Sequence, residues 1–340
     1  MVECVYLTDR VLARQIAGQP VRHCLLHGEC ILHQPPEEMS YPVAQCDGCR
    51  DTLSPSSPQL SEKFVDPLRM RDSRNLETTA LRNLLRGATT FLVCGGPSLK
   101  HQDLTQLERR GVWSLAVNNA AGLYRPSAFI CADPPSKFHN GIWLDPQVMK
   151  FIPIPKLSPK RGKLRWKTEN GFQHLDTTAN DAPNVWGFDR RSWMAPDDSF
   201  FLDPQAAWGN HNDGVLRTGE SKTVCTMLLA VRMLYYLGSR TIFLLGVDFG
   251  MSPEHGYAFN QARDQAACDS NNQQFSIVND WLCRMQNDGV FSRFGLKIFN
   301  CNQHSGLRAF PYVPYDAAVR FALRNYPVEP FDLSGWYEKG

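Results

Sequence analysis

Ten residues, Phe91-Leu92-Val93-Cys94-Gly95-Gly96-Pro97-Ser98-Leu99-Lys100, carry the clearest chemical signal in the chain. Four apolar residues read as a short buried strand. Two glycines and a proline break it, and the mixed run His101 to Arg110 reads as the start of a helix. A strand that ends in a glycine turn and feeds a helix offers backbone N–H groups to a phosphate. Glycine also lets a ligand approach the backbone closely, because no Cβ intervenes. Ser98 adds an N-cap and a hydroxyl donor. An ordinary strand-to-helix turn uses the same residue types, so the motif needs support from elsewhere.

That support comes from other strand ends. Val112 to Val117 reads as a second strand running into Asn118-Asn119, and Ala128 to Ala132 as a third ending at Asp133. Thr241 to Val247 is a continuous apolar strand that ends in Asp248, followed by the loop Pro253 to Phe259, which carries His255 and Tyr257. Leu296 to Cys301 reads as a last strand, followed by Asn302-Gln303-His304-Ser305. In an open parallel sheet the carboxyl ends of the strands line the ligand crevice, so polar residues at successive ends point to one site. The alternative is that Asn and Asp only mark turns. Leu216-Arg217-Thr218-Gly219-Glu220-Ser221 precedes a strongly periodic helix, and Thr218, Gly219 and Ser221 fall at its N-terminus, where an anion is favoured.

A second set of residues suits a metal. Cys24-x5-Cys30 is followed after 15 residues by Cys46-x2-Cys49. Four thiolates make a closed tetrahedral zinc site, which is structural because no position is left for water. The first pair is wider than usual, and His27 is an alternative ligand between its members. A module this short needs such a staple. The remaining cysteines, among them Cys94, Cys131 and Cys225, sit in apolar surroundings and read as small buried hydrophobes.

The elements that must position these residues follow from patterning. Residues 1–55 form the cysteine-rich zinc module, and 56–88 a linker with a helix over about 72–85; the linker opens on the Ser/Pro run 51–60. Residues 89–335 form a Rossmann-like domain with a long insertion at about 134–212. Val224, Met227, Leu228, Val231, Leu234 and Tyr235 make one apolar helical stripe, closed by Gly238. Another helix covers about 272–286. The insertion shows no sustained period, as expected of a lid or acceptor-binding segment. Within it Lys156, Lys160, Arg161, Lys163, Arg165 and Lys167 surround Trp166. That run suits a phosphate backbone and a stacked base, or else a solvated loop. The expected fold is α/β, a mostly parallel Rossmann-like sheet flanked by helices, with a small zinc-binding module at the N-terminus.

Composition narrows the class. The chain has 340 residues, a net charge of +2, 43% hydrophobic residues and 11 cysteines. It is globular, and a net charge of +2 does not mark the whole molecule as a polyanion binder, so any nucleic-acid contact must be local. No apolar run reaches the roughly 18 residues that span a bilayer. A basic-then-apolar leader is missing from residues 1–14. The expectation is a cytoplasmic protein without membrane contact.

At these motifs the chain resembles a Rossmann-like superfamily that contains bacterial lipooligosaccharide-type sialyltransferases and archaeal 6-hydroxymethylpterin diphosphokinases. Val93 to Lys100 is similar to its Gly-x-Gly-Pro-Ser-Leu turn, Ala116 to Asn119 to its second-strand Asn element, and Arg217 to Ser221 to its Thr-Ser-Gly turn. Leu237 to Phe249 resembles its Leu-Gly to Gly-x-Asp-Phe segment, and His255 to Phe259 its Ser-Tyr-Ala-Phe loop. The cysteines at 24–49 resemble a tag found before some bacterial and phage glycosyltransferases. The resemblance implies a transferase of nucleotide-linked groups, with Gly95, Gly96, Pro97, Ser98, Asn118, Asn119, Thr218, Gly219, Ser221 and Tyr257 binding the nucleotide. The sialyltransferases take their base from a histidine in a later lid; this chain has no histidine between Phe259 and Cys301. The base must then be Asp133, His255, Asp248 or His304, with Asp133 first and His255 second.

The expected function is transfer of a sugar from a nucleotide-sugar donor to a hydroxyl acceptor, for instance a hydroxymethylated base in phage DNA. Two other readings fit the residues. One is an ATP- and Mg²⁺-dependent diphosphokinase with Asp133 and Asp248 bridging the metal. The other is a non-catalytic nucleic-acid-binding module.

Overall fold

The computed structural model describes residues 7–16, 19–24, 28–31, 70–72, 78–79, 81, 84–85, 88–138, 141–153, 163–168, 171–188, 195–202 and 225–324. Three N-terminal strands, β1 (Leu7–Ile16), β2 (Gln19–Cys24) and β3 (Gly28–Ile31), form an antiparallel sheet in that order. The register pairs Cys24 with Gly28 and Arg22 with Cys30. Cys24 and Cys30 therefore occupy diagonal positions on one face of the β2–β3 hairpin. Cys46 and Cys49 lie outside the described residues.

The second sheet has nine strands. In chain order they are β4 (Met70–Asp72), β5 (Thr78–Thr79), β6 (Thr89–Val93), β7 (Trp113–Val117), β8 (Ala128–Ile130), β9 (Met149–Pro153), β12 (Val185–Phe188), β13 (Thr241–Leu245) and β14 (Lys297–Asn300); a separate hairpin, β10 (Lys163–Thr168) and β11 (Gly171–Thr178), lies between β9 and β12. The spatial order is β14-β13-β6-β7-β8-β9-β12-β4-β5. The first seven run parallel, and β4 and β5 continue the sheet antiparallel. The fold is α/β, as expected.

Both faces of the parallel strands are covered, which is why they read as nearly continuous apolar runs. Alternate residues go to opposite cores. Leu92, Leu115, Ile130, Phe151, Ile242 and Leu244 face one; Phe91, Val93, Ala116, Phe129, Phe243 and Leu245 face the other. Two short helices, α1 (Gly141–Leu144) and α2 (Ser199–Leu202), precede α3 (Thr226–Tyr236), α4 (Gln265–Asn287), α5 (Val290–Arg293) and α6 (Tyr315–Leu323). α3 is buried almost all round, including Arg232, and packs with Val278, Leu282 and Met285 of α4 on the first face. Tyr315, Ala318 and Val319 of α6 close the second.

Three sequence expectations are corrected. Where a helix is expected over 72–85, the described residues 72 and 78–79 lie in the strands β4 and β5, because β4 finds a partner in β12 and tertiary pairing overrides local propensity. Among its described residues the insertion at 134–212 is not without regular structure: it supplies β9 and β12 to the parallel sheet. Lys150 had hidden β9. It stands in the middle of Met149-Lys150-Phe151-Ile152, yet it is fully buried, with Nζ donating to the Asp145 and Pro183 carbonyls. The third correction concerns the turn after β6. The run His101–Arg110 forms no α-helix; two 3₁₀ turns, Pro97–His101 and Leu104–Glu108, take its place. Asp103 separates them and caps the second through Thr105 N–H.

Candidate functional site

β6 and β13 lie side by side and parallel, but the chain leaves β6 toward β7 and reaches β13 only after building β8, β9 and β12 on the far side. The order of strands reverses between them. At such a switch point the loops after two neighbouring strands diverge and leave a crevice beyond their carboxyl ends. The glycine turn follows β6, and Gly246, Val247 and Asp248 follow β13.

A carboxylate joins these loops. Asp248 Oδ2 accepts from Ser98 Oγ at 2.9 Å, and Oδ1 accepts from Ser98 N–H at 3.2 Å and from Asn302 Nδ2 at 2.9 Å. Burial pushes the Asp248 carboxyl above its usual range, against the pull of the Ser98 and Asn302 hydrogen bonds. Ser98 thus serves as a clasp and not as the N-cap expected from sequence; the 3₁₀ turn beginning at Pro97 has no side-chain cap.

The glycines are explained by the same closeness. A Cβ on Gly96 would fall on Asp248 Oδ2 and within 2.5 Å of the Gly246 carbonyl. One on Gly95 would come within 2.8 Å of the Phe259 ring. Gly246 has φ +61° and no room for a Cβ beside the Cys94 carbonyl. The space these glycines leave is occupied by the protein's own groups.

The loop after β14 completes the arrangement. Ser305 Oγ donates to the Val247 carbonyl at 2.5 Å, and Gly306 N–H to the Asp248 carbonyl at 2.7 Å. Phe249, at φ +53°, is held where Gly306 abuts its carbonyl. Asn302, absent from the site expected from sequence, carries the same signal as the others: a polar residue just past an apolar strand.

A strap from the loop after β13 crosses the ends of β6 and β7. Ala258 N–H donates to the Gly95 carbonyl at 2.9 Å, and Asn119 Nδ2 donates to Gln261 Oε1 at 3.3 Å. The Tyr257 and Phe259 rings stack at 4.9 Å and 10° over the glycine turn. The Arg263 guanidinium lies 5.5 Å from the Tyr257 ring centroid. Asn118 starts a 3₁₀ turn at φ +54°, and its buried Oδ1 has no hydrogen-bond partner among the described residues.

Asp133, past β8, is exposed and pairs with Lys137 at 3.5 Å. His255 is exposed, with its N–H donating to Ser252, and His304 is exposed, with its N–H donating to Asn302 Oδ1. The structure therefore brings Gly95, Gly96, Pro97, Ser98, Asn118, Asn119, Asp248 and Tyr257 to one edge of the sheet. Thr218, Gly219 and Ser221 lie outside the described residues. The helix they precede in sequence begins at Thr226, after Cys225. Among the described residues no group of three or more His, Cys, Asp and Glu side chains is placed to hold a metal ion, and no helix is long and apolar enough to cross a membrane.

No family model matches the chain, and no curated protein sequence matches it. Among solved structures it is similar to a mammalian sialyltransferase crystallised with Gal-beta-1-3GalNAc-ortho-nitrophenol, at 13% identity and a TM-score of 0.34, over 62% of this chain and 69% of that one.

Proposed function

We propose that the chain is a nucleotide-sugar-dependent glycosyltransferase. The observation that supports this reading is the β6–β13 switch point, where polar loops after β6, β7, β13 and β14 meet. The donor nucleotide lies against the strap that covers the glycine turn and against Asn118. The acceptor hydroxyl oxygen bonds to the anomeric carbon as the bond from that carbon to the phosphate oxygen breaks. The electron pair leaves with the nucleotide, and the hydroxyl proton goes to a base. Both oxygens of Asp248 already accept hydrogen bonds from Ser98 and Asn302. Asp133 is exposed past β8, two strands from β6, and its carboxylate is not tied up by loop hydrogen bonds as that of Asp248 is, so it is the first choice of base, with His255 second. A placed base contributes roughly 10²–10⁴ in rate.

Incubation of the purified protein with a panel of nucleotide sugars and candidate acceptors tests the reading. Acceptor-dependent release of free nucleotide, lost in Asp133→Asn, is expected. Nucleotide release from ATP alone, with none from any sugar donor, overturns it.

The acceptor in this proposal is a nucleic-acid hydroxyl, such as that of a hydroxymethylated base. The hairpin β10–β11 holds Lys163, Arg165 and Lys167 at alternate positions of one strand. Lys156, Lys160 and Arg161 lie outside the described residues. Filter binding to DNA that weakens steeply with salt is expected; binding that is absent at low salt removes the acceptor from the proposal. The proposal also includes zinc held by Cys24, Cys30, Cys46 and Cys49. Metal analysis of the purified protein checks it.

A further inference from the structure

We infer that Arg263 is the cation that takes the anionic phosphate of the nucleotide; this rests on the crevice being a nucleotide site. Arg263 follows the strap across the glycine turn. Its Nε is buried with no hydrogen-bond partner among the described residues. Its Nη2 donates to the Tyr257 hydroxyl at 3.4 Å. A buried cationic N–H without an acceptor is costly, and native structures rarely leave one so. Guanidinium groups match phosphate oxygens with paired, charge-assisted hydrogen bonds.

A second orphan lies on a loop tied to the same strap. Asn118 Oδ1 is a buried acceptor without a partner among the described residues. The two are tied to one frame by Ala258 N–H on the Gly95 carbonyl and by Asn119 on Gln261. One group lacks an anion and the other lacks a donor. A nucleotide supplies both, with phosphate oxygens for Arg263 and a ribose hydroxyl or base amine for Asn118. A free phosphate satisfies only Arg263, and a nucleoside only Asn118.

Calorimetric titration separates these cases, with CMP, UDP, cytidine, uridine and inorganic phosphate as probes against the wild-type chain and Arg263→Gln. The wild-type chain is expected to bind a nucleotide at least about tenfold more tightly than its nucleoside, the range of a charge-assisted contact. Arg263→Gln is expected to abolish that difference and keep the nucleoside affinity. Should the variant retain the difference, Arg263 is not the phosphate ligand, whatever the protein catalyses. Nucleotide binding that depends on Arg263 without sugar transfer sinks the transferase reading and leaves this inference standing. No nucleotide binding at all sinks both. The Arg263 Nε–H resonance of the wild-type chain gives a readout free of folding effects: it shifts with CMP or UDP and not with cytidine or uridine, and an unmoved resonance overturns the inference.

Discussion

Ser98 is bound to Asp248 twice, by its hydroxyl at 2.9 Å and by its backbone N–H at 3.2 Å, although 150 positions separate them in sequence. With Asn302 on the same carboxylate, three strand-end loops close on a single acceptor. The placement of those loops against one another depends on that acceptor. Asp248→Ala leaves the Ser98 N–H and the Asn302 amide, both half-buried, without this partner, at no more than about 1–3 kcal/mol each. Asp248→Asn keeps one accepting oxygen, and its amide can donate to Ser98 Oγ. Thermal melts are expected to rank wild type and Asp248→Asn well above Asp248→Ala. Equal melting of the two variants contradicts the clasp.

The same carboxyl gives a pH signature. Its native pKa is raised by burial above the unfolded value of 3.8, so between those two values the folded chain holds more protons than the unfolded one. Stability linked to this group is full below the unfolded pKa and falls as pH rises through the native one. Subtracting the Asp248→Asn stability curve from the wild-type curve is expected to give a difference that declines upward from about pH 4. A difference that climbs with pH reverses the assigned direction.

Gly96 has the least room for a side chain of the glycines described at the site. Alanine there must displace the Asp248 carboxylate or the Gly246 carbonyl, an overpacking cost of about 1–3 kcal/mol. Gly95→Ala meets the edge of the Phe259 ring, which can shift, and is expected to cost less. Gly250 has open space around it, so Gly250→Ala is expected to change stability by no more than about 0.5 kcal/mol. Chemical denaturation of the three variants checks the order.

Much of this architecture is legible in the sequence. β6, β7, β8, β13 and β14 are short apolar runs ending in Gly, Asn or Asp, and both the runs and their polar ends survive in the structure. β9 is not legible, because Lys150 breaks its apolar pattern and only the fold supplies carbonyls for its ammonium. β12 is four residues with a glycine, too short to stand out. At the site, sequence locates Gly96 and Asp248 but does not reveal that one exists for the other. A strand-end aspartate that binds a ligand and one that pins a turn have the same local signature. Arg263 carries no signal at all: it is one arginine in a polar loop, and its meaning comes from what its Nε lacks.

Lys150 yields a prediction of its own. Its stem lies in the sheet between β8 and β12 and its ammonium satisfies two carbonyls. Lys150→Met keeps most of the volume and loses those bonds; Lys150→Ala also leaves a cavity. Large-to-small core changes cost about 2–5 kcal/mol. The alanine variant is expected to unfold at clearly lower denaturant than the methionine variant, and the methionine variant below wild type. An unshifted midpoint in Lys150→Ala means that β9 is not part of the cooperative core.

Asp133 separates chemistry from folding. Its side chain is 58% exposed, and its pair with Lys137 is an i,i+4 surface contact, worth about 0–1 kcal/mol at most. Asp133→Asn is therefore expected to melt with the wild type. If Asp133 accepts the acceptor's proton, the same variant loses about 10²–10⁴ in turnover while binding of donor nucleotide is unchanged. His255→Ala, changed at an equally exposed position, then retains activity. If instead His255→Ala is inactive and Asp133→Asn is not, the base lies on the strap beside Tyr257. Proton removal would then be tied to the segment that covers the glycine turn.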